Sequence, residues 1–203
     1  MKMAKELDRR TFLKGLGLGA LAVGDVFAFG DLVWASTLPD GQEVALARMA
    51  IFVDKALCCG CRVCEMVCSN VNCEGRNTSS LARLSVEKDY IKGDFQPKVC
   101  YQCSDPPCLK VCPVGALQVD KQRGTFARII DESLCIGCQQ CIEACQQHFH
   151  PPRPKFDEET NHSIKCHLCF GDPQCVKFCP MGVLRVERSE QGLLVGYPTI
   201  KED

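Results

Sequence analysis

Apolar positions along this chain come in short bursts separated by polar connections. Met49-Ala-Ile-Phe-Val-Asp54 and Ala82-Arg-Leu-Ser-Val86 each predict a short strand. Gly115-Ala-Leu-Gln-Val-Asp120 and Thr125-Phe-Ala-Arg-Ile-Ile-Asp131 flank the polar turn Lys121-Gln-Arg-Gly124 and predict a β-hairpin. Val183-Leu-Arg-Val-Glu187 predicts a last strand, and residues 69–99 form a connection rich in Asn, Ser and charge. The apolar run from Leu16 to Gly24 is too short to span a bilayer, and Asp25 and Asp31 prevent its extension. The pattern is that of a small α+β fold, and one Trp, three Tyr and ten Phe in 203 residues leave little for a core.

Cysteine changes that picture. Sixteen of eighteen fall into four compact groups, whereas a disulfide scaffold spreads them through loops. The clearest group is Cys135-Ile-Gly-Cys138-Gln-Gln-Cys141-Ile-Glu-Ala-Cys145. Three cysteines at intervals of three, with a fourth four residues on, is a spacing that holds cubane iron–sulfur clusters. A tight turn aims three thiolates at one cubane, and the fourth, about a turn along a helix, points to a second. Zinc ribbons use separated pairs instead. The first group holds Cys58, Cys61, Cys64 and Cys68, with Cys59 beside them. Ile136 fills the slot matching Cys59 in the third group, so Cys59 is expected to be a buried apolar residue. Cys73, outside every motif, is expected to be a spare thiol in a loop. The second group is Cys100, Cys103, Cys108 and Cys112, and the fourth is Cys166, Cys169, Cys175 and Cys179. Both stretch the interval between their second and third cysteines, and both end in Cys-Pro.

The strands order the motifs. Motif two, the 115–131 hairpin and motif three make one two-cluster unit, 100–163. Motif four has an exit strand and no successor, while motif one has an entry strand and no predecessor. The two are expected to form a second ferredoxin-like unit, 46–99 plus 164–203, into which the first is inserted, with strand 49–54 near strand 183–187. Short helices and hairpins complete the fold. By the exchange rule the fourth cysteine of each run serves the other cluster of its pair. Four [4Fe–4S] clusters result, on Cys58, Cys61, Cys64 and Cys179; on Cys166, Cys169, Cys175 and Cys68; on Cys100, Cys103, Cys108 and Cys145; and on Cys135, Cys138, Cys141 and Cys112.

The formal charge is −1 with every cysteine neutral. Four oxidised cubanes would add roughly −8 by charge counting, which leaves no electrostatic case for nucleic acid. The chain opens with Asp8-Arg9-Arg10-Thr11-Phe12-Leu13-Lys14 before a Gly-rich apolar run, and Val33-Trp34-Ala35 precedes Ser36. Residues 1–35 therefore resemble a twin-arginine export signal. A periplasmic location, or the outer face of the cytoplasmic membrane, would follow. The chain has no membrane span of its own, so membrane association would need a partner chain.

Four motifs in this order over residues 49–190 resemble the four-cluster electron-transfer subunits of the dimethyl-sulfoxide-reductase superfamily. The run Lys165-Cys166-His-Leu-Cys169-Phe-Gly-Asp-Pro-Gln-Cys175-Val-Lys-Phe-Cys179-Pro is similar to small subunits of tungsten-dependent aldehyde ferredoxin oxidoreductases. The resemblance implies a relay between a molybdenum- or tungsten-pterin catalytic subunit and a carrier, cytochrome or quinone-linked membrane subunit. Nucleotide fingerprints, nucleophile elbows and zinc-protease helices are lacking. The competing readings are a self-sufficient iron–sulfur enzyme, which predicts turnover by the chain alone, and a redox sensor, which needs an incompletely ligated cluster. Gln146 stands where the family often carries Pro. It opens the loop Gln147-His148-Phe149-His150-Pro151-Pro152-Arg153-Pro154, expected to shape a docking surface. His162 and His167 have no partner pattern.

Overall fold

The computed structural model describes residues 36–37, 41 and 43–200, so the expected export signal at 1–35 lies outside the described residues. Two-stranded antiparallel pairs and short helices make up an α+β fold. β1 (Ser36–Thr37) pairs with β2 (Glu43–Val44). β3 (Met49–Val53) enters the first cysteine motif through a 3-10 turn at Lys55–Leu57, and α1 (Val63–Asn72) carries that motif's last two cysteines. The hairpin β4 (Ser85–Asp89) and β5 (Asp94–Lys98) follows. Next come α2 (Pro107–Lys110), the hairpin β6 (Leu117–Val119) and β7 (Arg128–Ile130), and α3 (Gln140–Gln146). A hairpin of β8 (Lys155–Asp157) and β9 (His162–Ile164) leads to α4 (Gln174–Lys177) and β10 (Leu184–Arg188).

β3 and β10 pair antiparallel, Val53 opposite Leu184 and Met49 opposite Arg188, as the strand pattern predicts. The other four pairs join neighbouring segments. α1 packs on α4, and α2 on α3. Helices of four residues cannot persist alone, because nucleation costs more than so few hydrogen bonds return; α2 and α4 exist by virtue of these contacts.

The main core joins Met49 and Ile51 of β3 to Leu84, Val86, Leu168, Val183 and Leu184, with Cys64, Cys68 and Cys175 among them. A smaller one gathers Val44, Leu109 and Leu117 around Cys108 and Cys141. Thiols thus stand where a protein of this size would otherwise pack hydrocarbon.

Several expectations are corrected. The strand expected at 82–86 starts at Ser85, because the Arg83 amide donates to Cys68 Sγ at 3.3 Å instead of to a strand. The 115–131 hairpin pairs only three residues on each side; Gly115 and Phe126, both left-handed, break the strands. Cys59 is exposed, and so is Ile136 in the matching slot. Cys73 caps the end of α1 and is buried with Leu81 and Ile164, its thiol 3.7 Å from the Leu81 carbonyl. The hairpins at 85–98 and 155–164 lie in stretches where the apolar pattern predicts none. No helix among the described residues is long and apolar enough to cross a membrane.

Candidate metal centres

Each cysteine motif begins with the same backbone device. The residue before the second cysteine is left-handed in all four: Gly60 (φ 71), Gln102 (φ 57), Gly137 (φ 70) and Leu168 (φ 58). At Gly60 and Leu168 this turns the residue's amide towards the first thiol of its motif, Cys58 and Cys166. Glycine adopts the conformation freely, whereas a side chain costs about 1–2 kcal/mol. At 102 and 168 tertiary contacts hold it. The buried Gln102 donates to the Cys166 carbonyl at 3.0 Å and accepts from the Arg128 amide at 2.8 Å, and Leu168 is wholly buried in the main core.

Three quartets each line one cavity. Cys68, Cys166, Cys169 and Cys175 surround about 370 Å³ of empty space, counting what opens to solvent. Cys100, Cys103, Cys108 and Cys145 surround about 340 Å³, and Cys112, Cys135, Cys138 and Cys141 about 310 Å³. The remaining quartet is marked by proximity rather than by a cavity: Cys61 and Cys179 both lie close enough to Cys58 and Cys64 to influence the ionisation of those thiols. In every quartet the fourth member crosses from the partner motif. Neighbouring quartets also touch electrostatically: Cys64 acts on Cys175, and Cys100 acts on Cys166. Cys108 and Cys141 share the smaller core. The quartets thus form a line, and exposed Cys61 and Cys138 belong to the two end members.

The thiol chemistry fits a bound cationic centre. Burial pushes Cys64 and Cys166 up to about 12 and Cys145 to about 11, and drives Cys108 and Cys175 higher still. Such thiols stay protonated unless a metal displaces the proton. Acceptance from N–H groups works the other way: the Arg83 amide serves Cys68 Sγ, and the Arg153 amide serves Cys145 Sγ at 3.3 Å. Asn72 Nδ2 lies 3.8 Å from both Cys68 Sγ and Cys169 Sγ. No three His, Cys, Asp or Glu among the described residues converge as a single metal ion requires. A four-iron cluster is itself a cage, and it needs thiolates spread around a void.

The residues 91–189 match the family model of the 4Fe-4S dicluster domain. The polyferredoxin-like subunit of an aliphatic sulfonate oxidoreductase from Pyrococcus furiosus is 35% identical over 138 residues, 68% of this chain and 75% of that protein. The chain belongs to this family of iron–sulfur subunits. Like these relatives it is an iron–sulfur electron-transfer subunit of an oxidoreductase complex. It is also 32% identical to the probable anaerobic dimethyl sulfoxide reductase chain YnfG of Escherichia coli, over 68% of this chain and 72% of that one. Protein NrfC of the same species is 33% identical, over 87% and 78%. Among solved structures, the BamBC complex of benzoyl coenzyme A reductase aligns over 70% of this chain and 80% of that chain, with a TM-score of 0.42 and 22% identity.

The polar residues around the quartets escaped sequence reasoning. Glu65, 2% exposed, accepts from the Val86 amide at 2.6 Å and pairs with Arg62 at 2.6 Å. Arg128, Arg153 and Lys165 line the cavity of Cys100, Cys103, Cys108 and Cys145. Two signals pointed to them, a charge inside the apolar strand run Ala127-Arg-Ile-Ile130 and a lysine directly before Cys166. The 147–154 loop also turns inward more than expected. Phe149, Arg153 and Pro154 are buried against that cavity, His148 packs tilted against Tyr197 with ring centroids 4.0 Å apart, and His150 is exposed. His167 stacks on Phe170 at 4.0 Å, and burial lowers it to about 3, so it stays neutral. His162 takes part in β9 only.

Proposed function

We propose that the chain carries four [4Fe–4S] clusters, ligated as the exchange rule assigns, and passes single electrons between a molybdenum- or tungsten-pterin catalytic subunit and a quinone-linked membrane subunit or cytochrome. The reading rests on twelve thiols gathered four by four in three cavities, with Cys58, Cys61, Cys64 and Cys179 as a fourth neighbouring set, and on the exposed cysteines Cys61 and Cys138 in the two end sets. The clusters supply reversible one-electron storage when bound. The chain's own residues fix their spacing, exclude water, and set each potential through amide bonds to sulfur and nearby charge. Motifs one and four, with residues 46–99 and 164–203, make the outer unit, and 100–163 the inserted one; the β3–β10 pair and the packing of α1 on α4 support this. The relatives described as dimethyl sulfoxide reductase and sulfonate oxidoreductase subunits support a redox catalytic partner. Residues 1–35 act as a twin-arginine signal that delivers the loaded protein to the periplasmic side.

Iron and sulfide analysis of the holoprotein tests the count. About sixteen of each per chain is expected from four cubanes, and a content near eight overturns it. Cys145→Ser should perturb the same spectroscopic component as Cys100→Ser, and perturbation of the Cys138→Ser component would refute the pairing. Replacing Arg9 and Arg10 with Lys should retain the protein in the cytoplasm; continued export would dismiss the leader.

A further inference from the structure

The cavity of Cys100, Cys103, Cys108 and Cys145 differs from the other two in its charge. Arg128 is fully buried, and Lys165 and Arg153 are 3% and 4% exposed. All three line this one cavity, and no carboxylate among the described residues does. Lys165 Nζ donates to the Arg128 carbonyl at 2.7 Å and also reaches the Cys100 thiol. Arg128 Nη1 donates to the Phe126 carbonyl at 2.8 Å, while its Nε and Nη2 are buried with no partner among the described residues. Arg153 Nε donates to the Val99 carbonyl at 2.9 Å and Nη1 to that of Pro151.

Burying the Arg128 and Lys165 cations in a lining without a carboxylate costs several kcal/mol each, and the idle N–H groups of Arg128 add to it. Such an arrangement persists when an anion sits in the cavity, as a cluster with four thiolates does. The other quartets differ. Arg83 lines the Cys68, Cys166, Cys169 and Cys175 cavity, but it is paired with Glu132 at 3.7 Å. The lining of the Cys112, Cys135, Cys138 and Cys141 cavity carries no charge apart from its thiols. Beside Cys64, whose thiol is pushed up first by burial and then by its neighbour, stands the buried carboxylate of Glu65, itself paired with Arg62 at 2.6 Å.

Adding an electron makes a cluster more negative, so fixed cations favour the reduced form and a carboxylate opposes it. We propose that Arg128 and Lys165 are positioning residues that make the cluster on Cys100, Cys103, Cys108 and Cys145 the highest-potential of the four. It would be the interior station where an electron rests. The proposal rests on the ligation given under Proposed function.

Redox titration of the holoprotein, followed by electron paramagnetic resonance, tests it. In the wild type the component with the highest midpoint should be the one that Cys145→Ser alters. Arg128→Met should lower that midpoint alone, by at least a tenfold change in the reduction equilibrium constant, about 59 mV for one electron. Arg128→Lys should restore most of it, since charge rather than shape is responsible. Lys165→Met should act in the same direction. An unchanged midpoint with iron content and all components retained overturns the proposal, as does a highest-potential component that Cys145→Ser leaves untouched. Failure of the ligation reading is distinct: it shows as low iron, or as Cys100→Ser and Cys145→Ser altering different components. If Arg128→Met does not fold, the wild-type assignment against Cys145→Ser still decides.

Discussion

At the scale of single residues, the left-handed position before each second cysteine is the determinant shared by all four motifs. It is visible in the sequence at Gly60 and Gly137, and hidden at Gln102 and Leu168, where burial rather than composition fixes the backbone. A β-carbon at Gly137 would press on the Asn161 carbonyl oxygen, while one at Gly124 would meet nothing. Gly137→Ala should therefore cost at least the 1–2 kcal/mol of left-handed strain, lowering the melting temperature by several degrees at about 2–4 °C per kcal/mol. Gly124→Ala should cost less; thermal denaturation of the two variants decides. Motif alignment gave the correct slot for Cys59 but the wrong environment, because the position before the glycine faces solvent at both 59 and 136. Cys59→Ser should leave the iron content unchanged. Cys73→Asp should destabilise the protein strongly, since it would bury a charge between Leu81 and Ile164, and a melting temperature within a degree of wild type would contradict its burial.

Elements were less legible than motifs. α1 and α3 both start from a left-handed residue, Arg62 and Gln139, with no side-chain cap, so ordinary helix-start signals are missing. α2 and α4 follow Pro106 and Pro173, which mark the stretched intervals that the sequence does display. The β8–β9 hairpin is fastened to the segment after α1 by Arg76, which donates to Asp157 at 2.7 and 3.1 Å and to Glu159 at 2.9 Å. Arg76 holds the Asp157 carboxyl below its usual range. The tie therefore contributes above the unfolded-state value of about 3.9 and is lost as pH falls through the lower folded value. At neutral pH, Asp157→Asn should speed amide exchange in β8 and β9 while leaving β6 and β7 unchanged. Equal protection in both hairpins would show that the tie is not what holds them.

For the molecule as a whole, motif order and exit strands were enough to anticipate the β3–β10 pair, and three of the four expected cysteine groups each line one cavity. The charges between the quartets were not legible, because Glu65, Arg128 and Lys165 acquire their roles only when distant segments close around them. The same charges couple folding to loading. Stripping the metal would leave cations buried beside protonated thiols, in cores built largely of cysteine. Chelation or oxidative loss of iron should therefore abolish near-ultraviolet circular dichroism and open the chain to protease. A metal-free protein with full protease resistance would show that the hydrocarbon core suffices.

The β3–β10 pair also sets an order in time. β3 is made early and must wait for β10, since Val53 has no partner until Leu184 has been synthesised. Non-local closure of this kind is slow, because the intervening loop entropy is lost before any contact repays it. By then residues 100–145 have long emerged, and both of their quartets can be complete while Cys179 is still unmade. The outer quartets each need a thiol from 166–179 and finish last. A cell short of iron should accumulate chains with the inserted unit finished and an open seam at β3, and that seam is what a quality-control protease would recognise.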